Sequence, residues 1–148
     1  MPFFRWSPSS GSATADVGAA PKAVADRPSI AVLPFDNMSG DPEQEYFSDG
    51  ITEDIITDLS KVGSLLVISR NSSFSYKRTT LDTRTVGREL GVSHVVEGSV
   101  RRAADRIRVT AQLIDAQSGT HLWAERYDRE MSDIFAVQDD LTRCIVDA

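Results

Sequence analysis

A chain of 148 residues with 41% apolar and 26% charged side chains has the size and composition of one soluble globular domain, which excludes a disordered polypeptide and a pair of full domains. Its net charge of −6 argues against direct nucleic-acid binding as a main role, because an acidic surface repels a phosphate backbone. No run comes near the roughly 20 apolar residues that span a bilayer, so no transmembrane segment is expected.

Residues 1–28 are rich in Ala, Ser, Gly and Pro and read as a flexible amino-terminal tail. Arg5 sits inside an aromatic cluster of Phe3, Phe4 and Trp6, a candidate membrane- or partner-touching tip. No apolar stretch of about 7 to 15 residues follows that charge, so the segment does not read as a secretory signal.

The domain itself is expected over residues 29–148. Residues 29–35 form a short apolar run with Ile30 and Val32, ended by Pro34, and predict a buried strand. The turn formers DNMSGDP follow. Asp41 then offers an N-cap oxygen, Pro42 the first helical position, and Glu43 and Gln44 an acidic first turn with a capping-box partner. Phe47, Ile51, Ile55, Leu59 and Val62 paint one apolar stripe down a helix that should end at Gly63. Asp49, Glu53, Asp54 and Asp58 fall off the stripe and read as a solvated face.

LLVIS at 65–69 predicts a second buried strand, and RNSSFSYKRTT an exposed connection. Asp82 should cap a second helix, with Leu81 and Val86 as a hydrophobic staple and Gly91 as its end. From His94 the period changes to that of strands: HVVEGSVRR, a turn at Ala104 and Asp105, then RIRVTAQLID, in which Ile107, Val109, Ala111 and Leu113 alternate with polar residues. A turn at AQSG leads to THLWAERYDRE, where Trp123 and Tyr127 share a face with Glu125 between them. Three strands joined by short turns predict an antiparallel meander.

Ser132 should cap a last helix carrying Ile134, Val137, Leu141, Cys144 or Ile145, and Ala148. The lone Cys144 reads as core packing and excludes an internal disulfide or a multi-cysteine zinc site. The predicted order is β-α-β-α-β-β-β-α, an α/β (α+β) fold. Early strands lie parallel through right-handed crossovers, the late ones antiparallel, and helices pack on the mixed sheet.

No phosphate-cradling glycine loop and no GxSxG elbow occurs, and His94 and His121 both stand at strand starts. No catalytic residue, cofactor or metal is therefore expected. The best binding candidate is the basic cluster Arg101, Arg102, Arg106 and Arg108, which a hairpin brings together around Asp105 as an anion or partner patch. The plain alternative is a hairpin tip kept soluble by its charge. Arg70, Asn71, Ser72 and Ser73 form a second candidate anion loop.

The segments IAVLPFDNMSGDPEQEYFSDGITEDIITDLS, VISRNSSFSYK, VGRELGVSHVVEGSVRR, RVTAQLIDAQSGTHLWAERYDRE and DIFAVQDDL, in that order, resemble the TolB amino-terminal-like domain of bacterial signalling proteins. The resemblance covers residue 29 to the end. It implies a fold similar to the first domain of the TolB translocation protein. It also implies a connecting module between an effector, either a class III adenylate or guanylate cyclase domain or a winged-helix domain, and tetratricopeptide repeats. The cyclase activity of that family belongs to a separate domain, so the resemblance implies no catalysis here. A short tail where an effector should be, and a last helix cut in mid-pattern, suggest a truncated product. The expected role is a non-catalytic interaction module. The alternative is a small anionic-ligand sensor using the NMSGDP turn or the arginine hairpin. The expected compartment is the cytoplasm, with the periplasm as alternative.

Overall fold

Six strands form one mixed sheet in the computed structural model, which describes residues 28–77 and 79–147. The aromatic cluster at Phe3, Phe4 and Trp6 lies outside the described residues. In chain order the elements are β1 (Ser29–Val32), β2 (Asp36–Asn37), α1 (Gln44–Ser60), β3 (Leu66–Val67), α2 (Arg70–Phe74), α3 (Thr83–Leu90), β4 (His94–Ala103), β5 (Arg106–Asp115) and β6 (His121–Glu130). A 3-10 turn at Met131–Asp133 then leads into α4 (Ile134–Asp147). Across the sheet the order is β3-β1-β4-β5-β6, with β2 also paired to β4. β1 runs parallel to β3 and β4, and β2 parallel to β4, while β4, β5 and β6 form the antiparallel meander. The mixed α+β sheet read from the sequence is the one observed, with β2 and α2 added.

The run at 29–35 is not one strand. Between the pairs Val32 with Val96 and Asp36 with Ser99, one chain advances four residues against three, which is a bulge. Pro34 has no N–H to give at this break. The next N–H, of Phe35, donates to the Thr52 hydroxyl at 2.9 Å, and that hydroxyl donates to the Ser48 carbonyl at 3.1 Å, so a buried threonine on α1 satisfies the interrupted strand. The Phe35 ring lies over Gly98. A Cβ at 98 would stand 2.4 Å from the Thr110 carbonyl oxygen and 2.6 Å from Phe35 Cε2, so only glycine lets both the neighbouring strand and the ring approach there.

Asp41 caps a turn rather than α1 itself: its carboxylate accepts from Glu43 N–H at 3.0 Å and its carbonyl from Gln44 N–H at 2.9 Å. The connection expected at 70–80 opens instead with the short helix α2, whose N-cap Ser69 accepts from Ser72 N–H. Two of the acids read as a solvated face, Asp49 and Glu53, hold this segment together with Glu45. Glu53 pairs with Arg70 at 2.7 Å, and Lys77 bridges Glu45 and Asp49 at 2.9 and 2.6 Å. On α3, Asp82 caps through Thr85 N–H at 2.9 Å and Gly91 closes the helix in the left-handed region, as expected. Leu81 remains 47% exposed, so Val86 owes its burial to the sheet rather than to a staple. Ser132 sits inside the 3-10 turn and does not cap α4.

Helices cover the two sheet faces unequally. α1 contributes Ile51, Ile55 and Leu59, and α4 contributes Ile134, Val137, Leu141 and Ile145, to a core built on Val32, Val96, Val100, Val109 and Leu113. On the opposite face, α3 places Val86 over Ala31, Leu33 and Val95. At one end of the sheet Pro28 and the last turn of α4, at Ile145 and Val146, line a single small cleft.

Candidate interaction surface

Beyond the reach of α3, the meander presents an uncovered face. Strand alternation aims Ser99 and Arg101 of β4, Arg106, Arg108 and Thr110 of β5, and Arg126 and Asp128 of β6 to that side, because Val100, Val109 and Tyr127 point into the α1/α4 core. The register sets Arg101 opposite Arg108, Arg108 opposite Asp128, and Arg106 opposite Glu130. Two arginines face to face destabilise a strand pair unless an acid compensates. Asp128 is that acid: its Oδ1 accepts from Arg108 Nε at 2.7 Å, and its Oδ2 lies 3.8 Å from Arg126 Nε. The Arg108 hydrogen bond, together with the fields of Arg108, Arg126 and Arg106, holds the Asp128 carboxyl below its ordinary range against the opposing effect of burial. Arg101, Arg106, Arg108 and Arg126 are all exposed. Three guanidinium groups thus gather around one aspartate, with Arg101 opposite Arg108 on the next strand, on a domain that is acidic as a whole.

Of the four arginines singled out in the sequence, Arg101, Arg106 and Arg108 share this face. Arg102 does not. It pairs with Ile107 on the α1 side, where its guanidinium stacks 5.7 Å from the Phe47 ring and its backbone N–H donates to Ser39 Oγ at 2.8 Å. Arg126 and Asp128 complete the cluster and escaped the sequence reading. The signal that could have found them is the alternation of Ala124, Arg126 and Asp128 against Trp123 and Tyr127 along β6.

The other candidate anion sites are closed by their own contacts. Ser72 and Ser73 N–H both donate to Ser69, and Arg70 pairs with Glu53 while lying 4.3 Å above the Phe74 ring. In the NMSGDP turn, Asn37 donates to the Asp41 carbonyl at 2.8 Å and accepts from Ser39 N–H at 3.0 Å, and Met38 N–H donates to Val100 O at 2.8 Å. These groups shape the backbone and leave little to offer a ligand. Beside the arginines lies a groove of about 360 Å³ lined by Leu33, Met38, Leu81, Glu97, Ser99 and Thr110.

His94 contacts Ser93 Oγ through Nδ1 at 2.8 Å, and His121 is exposed at the start of β6. Cys144 is half-buried with its Sγ 4.0 Å from the Tyr127 hydroxyl, and burial, followed by that contact, pushes the Tyr127 phenol pKa up. Among the described residues no group of three or more His, Cys, Asp or Glu side chains is placed to hold a metal ion. Among the same residues no helix is long and apolar enough to cross a membrane.

Residues 25–144 match the family model of the HilA/YgeH-like transcriptional regulator, second domain. The Rhizobium meliloti (strain 1021) protein "Putative adenylate cyclase 3" is 71% identical over 128 residues, which are 86% of this chain and 22% of that protein. The chain therefore spans about a fifth of the length of this curated relative. Among solved structures, TolB from Acinetobacter baumannii superposes with a TM-score of 0.59 at 23% identity, over 81% of this chain and 27% of that one. Lipoprotein GNA1162 from Neisseria meningitidis superposes with a TM-score of 0.60 at 15% identity, over 82% and 99%. At such identities the likeness concerns the fold, which is TolB-like.

Proposed function

Because the chain belongs to the family of HilA/YgeH-like transcriptional regulator second domains, we propose that it is a non-catalytic module that docks an effector domain through the arginine face of its meander. The observation that carries this reading is the gathering of Arg101, Arg106, Arg108 and Arg126 on one uncovered sheet face of a chain with net charge −6. Guanidinium forks match carboxylates in a bidentate geometry, so the natural counterpart is an acidic protein surface. The relative named as an adenylate cyclase favours a cyclase-type effector, with a winged-helix effector as the other form. Coupling that effector to tetratricopeptide repeats, in the cytoplasm, completes the role.

The test is calorimetric titration of the chain with the remaining domains of the Rhizobium meliloti relative. Binding is expected, and the double variant Arg101→Glu/Arg108→Glu should weaken it by at least about tenfold, or 1.4 kcal/mol. Absence of binding, or equal binding by the variant, rejects the reading.

The facing pair Arg101 and Arg108 also favours a second reading, a sensor for a small anionic ligand. A specific ligand must raise the melting temperature of the protein it binds. A flat thermal-shift response to nucleotides and phosphorylated metabolites removes this second reading.

A further inference from the structure

β6 closes one side of the sheet, and among the described residues no strand pairs with its outer edge. It is ten residues long and seven of them are exposed, so the edge is accessible over most of its length. α4 does not roof it: a groove of about 450 Å³, lined by Tyr127, Arg129, Ala136 and Arg143 among others, opens between helix and strand. Two of its outward backbone groups are held by neighbouring side chains, Arg126 N–H by Glu125 Oε1 at 3.1 Å and the Asp128 carbonyl by Arg129 Nη1 at 2.9 Å; pairing with another strand exchanges these two exposed bonds for backbone ones and frees Glu125 and Arg129 to meet a partner's charges.

The charges on β6 indicate which strand. On either side of Tyr127, at equal distances, stand Arg126 and Asp128, and then Glu125 and Arg129. Two identical strands paired antiparallel in one continuous sheet are related by a two-fold axis perpendicular to it. That axis keeps each residue on its own face, so it passes through a residue position rather than between two. Centred on Tyr127, it sets Arg126 opposite the partner's Asp128 and Glu125 opposite the partner's Arg129, each twice. Centred on Arg126 or on Glu125, it sets two like charges directly opposite, which destabilises the pair. Charges on an edge strand ordinarily repel a neighbour; here they repel an identical neighbour in those registers and attract it in the Tyr127 register.

We propose that β6 is a self-association edge, through which two copies of the chain pair antiparallel about Tyr127 and extend the sheet across both. Asp128 can take part without giving up its internal bond, because Arg108 holds Oδ1 while Oδ2 faces Arg126 at only 3.8 Å. A single strand pair buries less than a standard interface, so the association is weak, with a Kd between tens of micromolar and about 1 mM.

Sedimentation equilibrium of the full chain at low salt tests this, with Glu125→Arg and Arg129→Glu as variants. Both positions lie on the opposite face from the arginine cluster, so the outcome is independent of the docking reading. Each single variant turns two attractive pairs into repulsive ones and should weaken association by at least about tenfold. An equimolar mixture of the two should restore it, since every facing pair in the mixed dimer is again of opposite sign. The combined variant Glu125→Arg/Arg129→Glu should associate like the parent, which also shows that the singles fail by charge and not by unfolding. A parent that stays monomeric up to about 1 mM, singles that associate unchanged, or a mixture that fails to restore pairing each overturns the proposal.

Discussion

The two faces of the sheet divide the labour of the molecule. Among the described residues, one carries a core cluster of 18 buried side chains under α1 and α4; the cluster on the other has six, near α3, and leaves the meander open. Most of the hydrophobic stabilisation therefore lies on the first face. The second is free to carry charge, because little packing depends on it.

The largest effect is expected where the thick face is thinned. Leu141→Ala removes a fully buried side chain between α4 and the sheet and should cost about 2–5 kcal/mol in chemical denaturation. A loss well under 1 kcal/mol would mean that α4 is not part of the main core. Gly98→Ala should cost about 3 kcal/mol or more, because the added Cβ meets the Thr110 carbonyl oxygen at 2.4 Å as well as the Phe35 ring at 2.6 Å; replacing Phe35 with leucine in the same chain relieves only the second clash and should recover only a minor part of the loss.

Acid tests the open side and its edges. Asp128 is held low by Arg108, Asp82 by the backbone N–H of Thr85, and Asp115 by those of Ser118 and Gln117. A carboxyl with a depressed folded-state pKa binds fewer protons folded than unfolded. Its contribution is whole above the unfolded value of 3.8 and is lost as pH falls through the lower folded value. The melting temperature should fall as the buffer is taken from pH 5 towards pH 2, and Asp128→Asn should make that fall shallower. An unchanged slope would remove Asp128 from the account.

The smallest effect belongs to the arginine face itself. Arg101→Glu places an acid opposite Arg108 and should shift stability by no more than about 0.5 kcal/mol, in the favourable direction. A cost above about 1 kcal/mol would show that the open face does structural work after all, and would blur the contrast between the two sides.

Much of this was legible in the sequence, for local reasons. The period of Ile51, Ile55 and Leu59, the cap at Asp82 and the alternation of Ile107, Val109, Ala111 and Leu113 each report their element within a few residues. β2 and α2 were missed because they are short and owe their form to distant partners: Ser99 and Val100 pair with Asp36 and Asn37, and Glu53 holds Arg70. The departure of Arg102 follows from parity across the two-residue turn, which puts it opposite Ile107. Arg126 and Asp128 needed the β5/β6 register, and a bulge at Leu113/Ile114 breaks the alignment that a simple meander would give. No local pattern in the sequence announces that bulge.

The cleft shared by Pro28 and the last turn of α4 gives the domain a mechanical character. Because the described chain enters and leaves at one corner, tension across its two ends is not carried along the strands of the meander. It pulls Pro28 away from Ile145 and Val146, and loads the short β1/β3 pairing, where Leu66 N–H donates to the Pro28 carbonyl at 2.9 Å. β1 also pairs with β4, at His94, Val95 and Val96, so such a load meets the meander at that end of β4, away from the turn that carries Arg101 and Arg106.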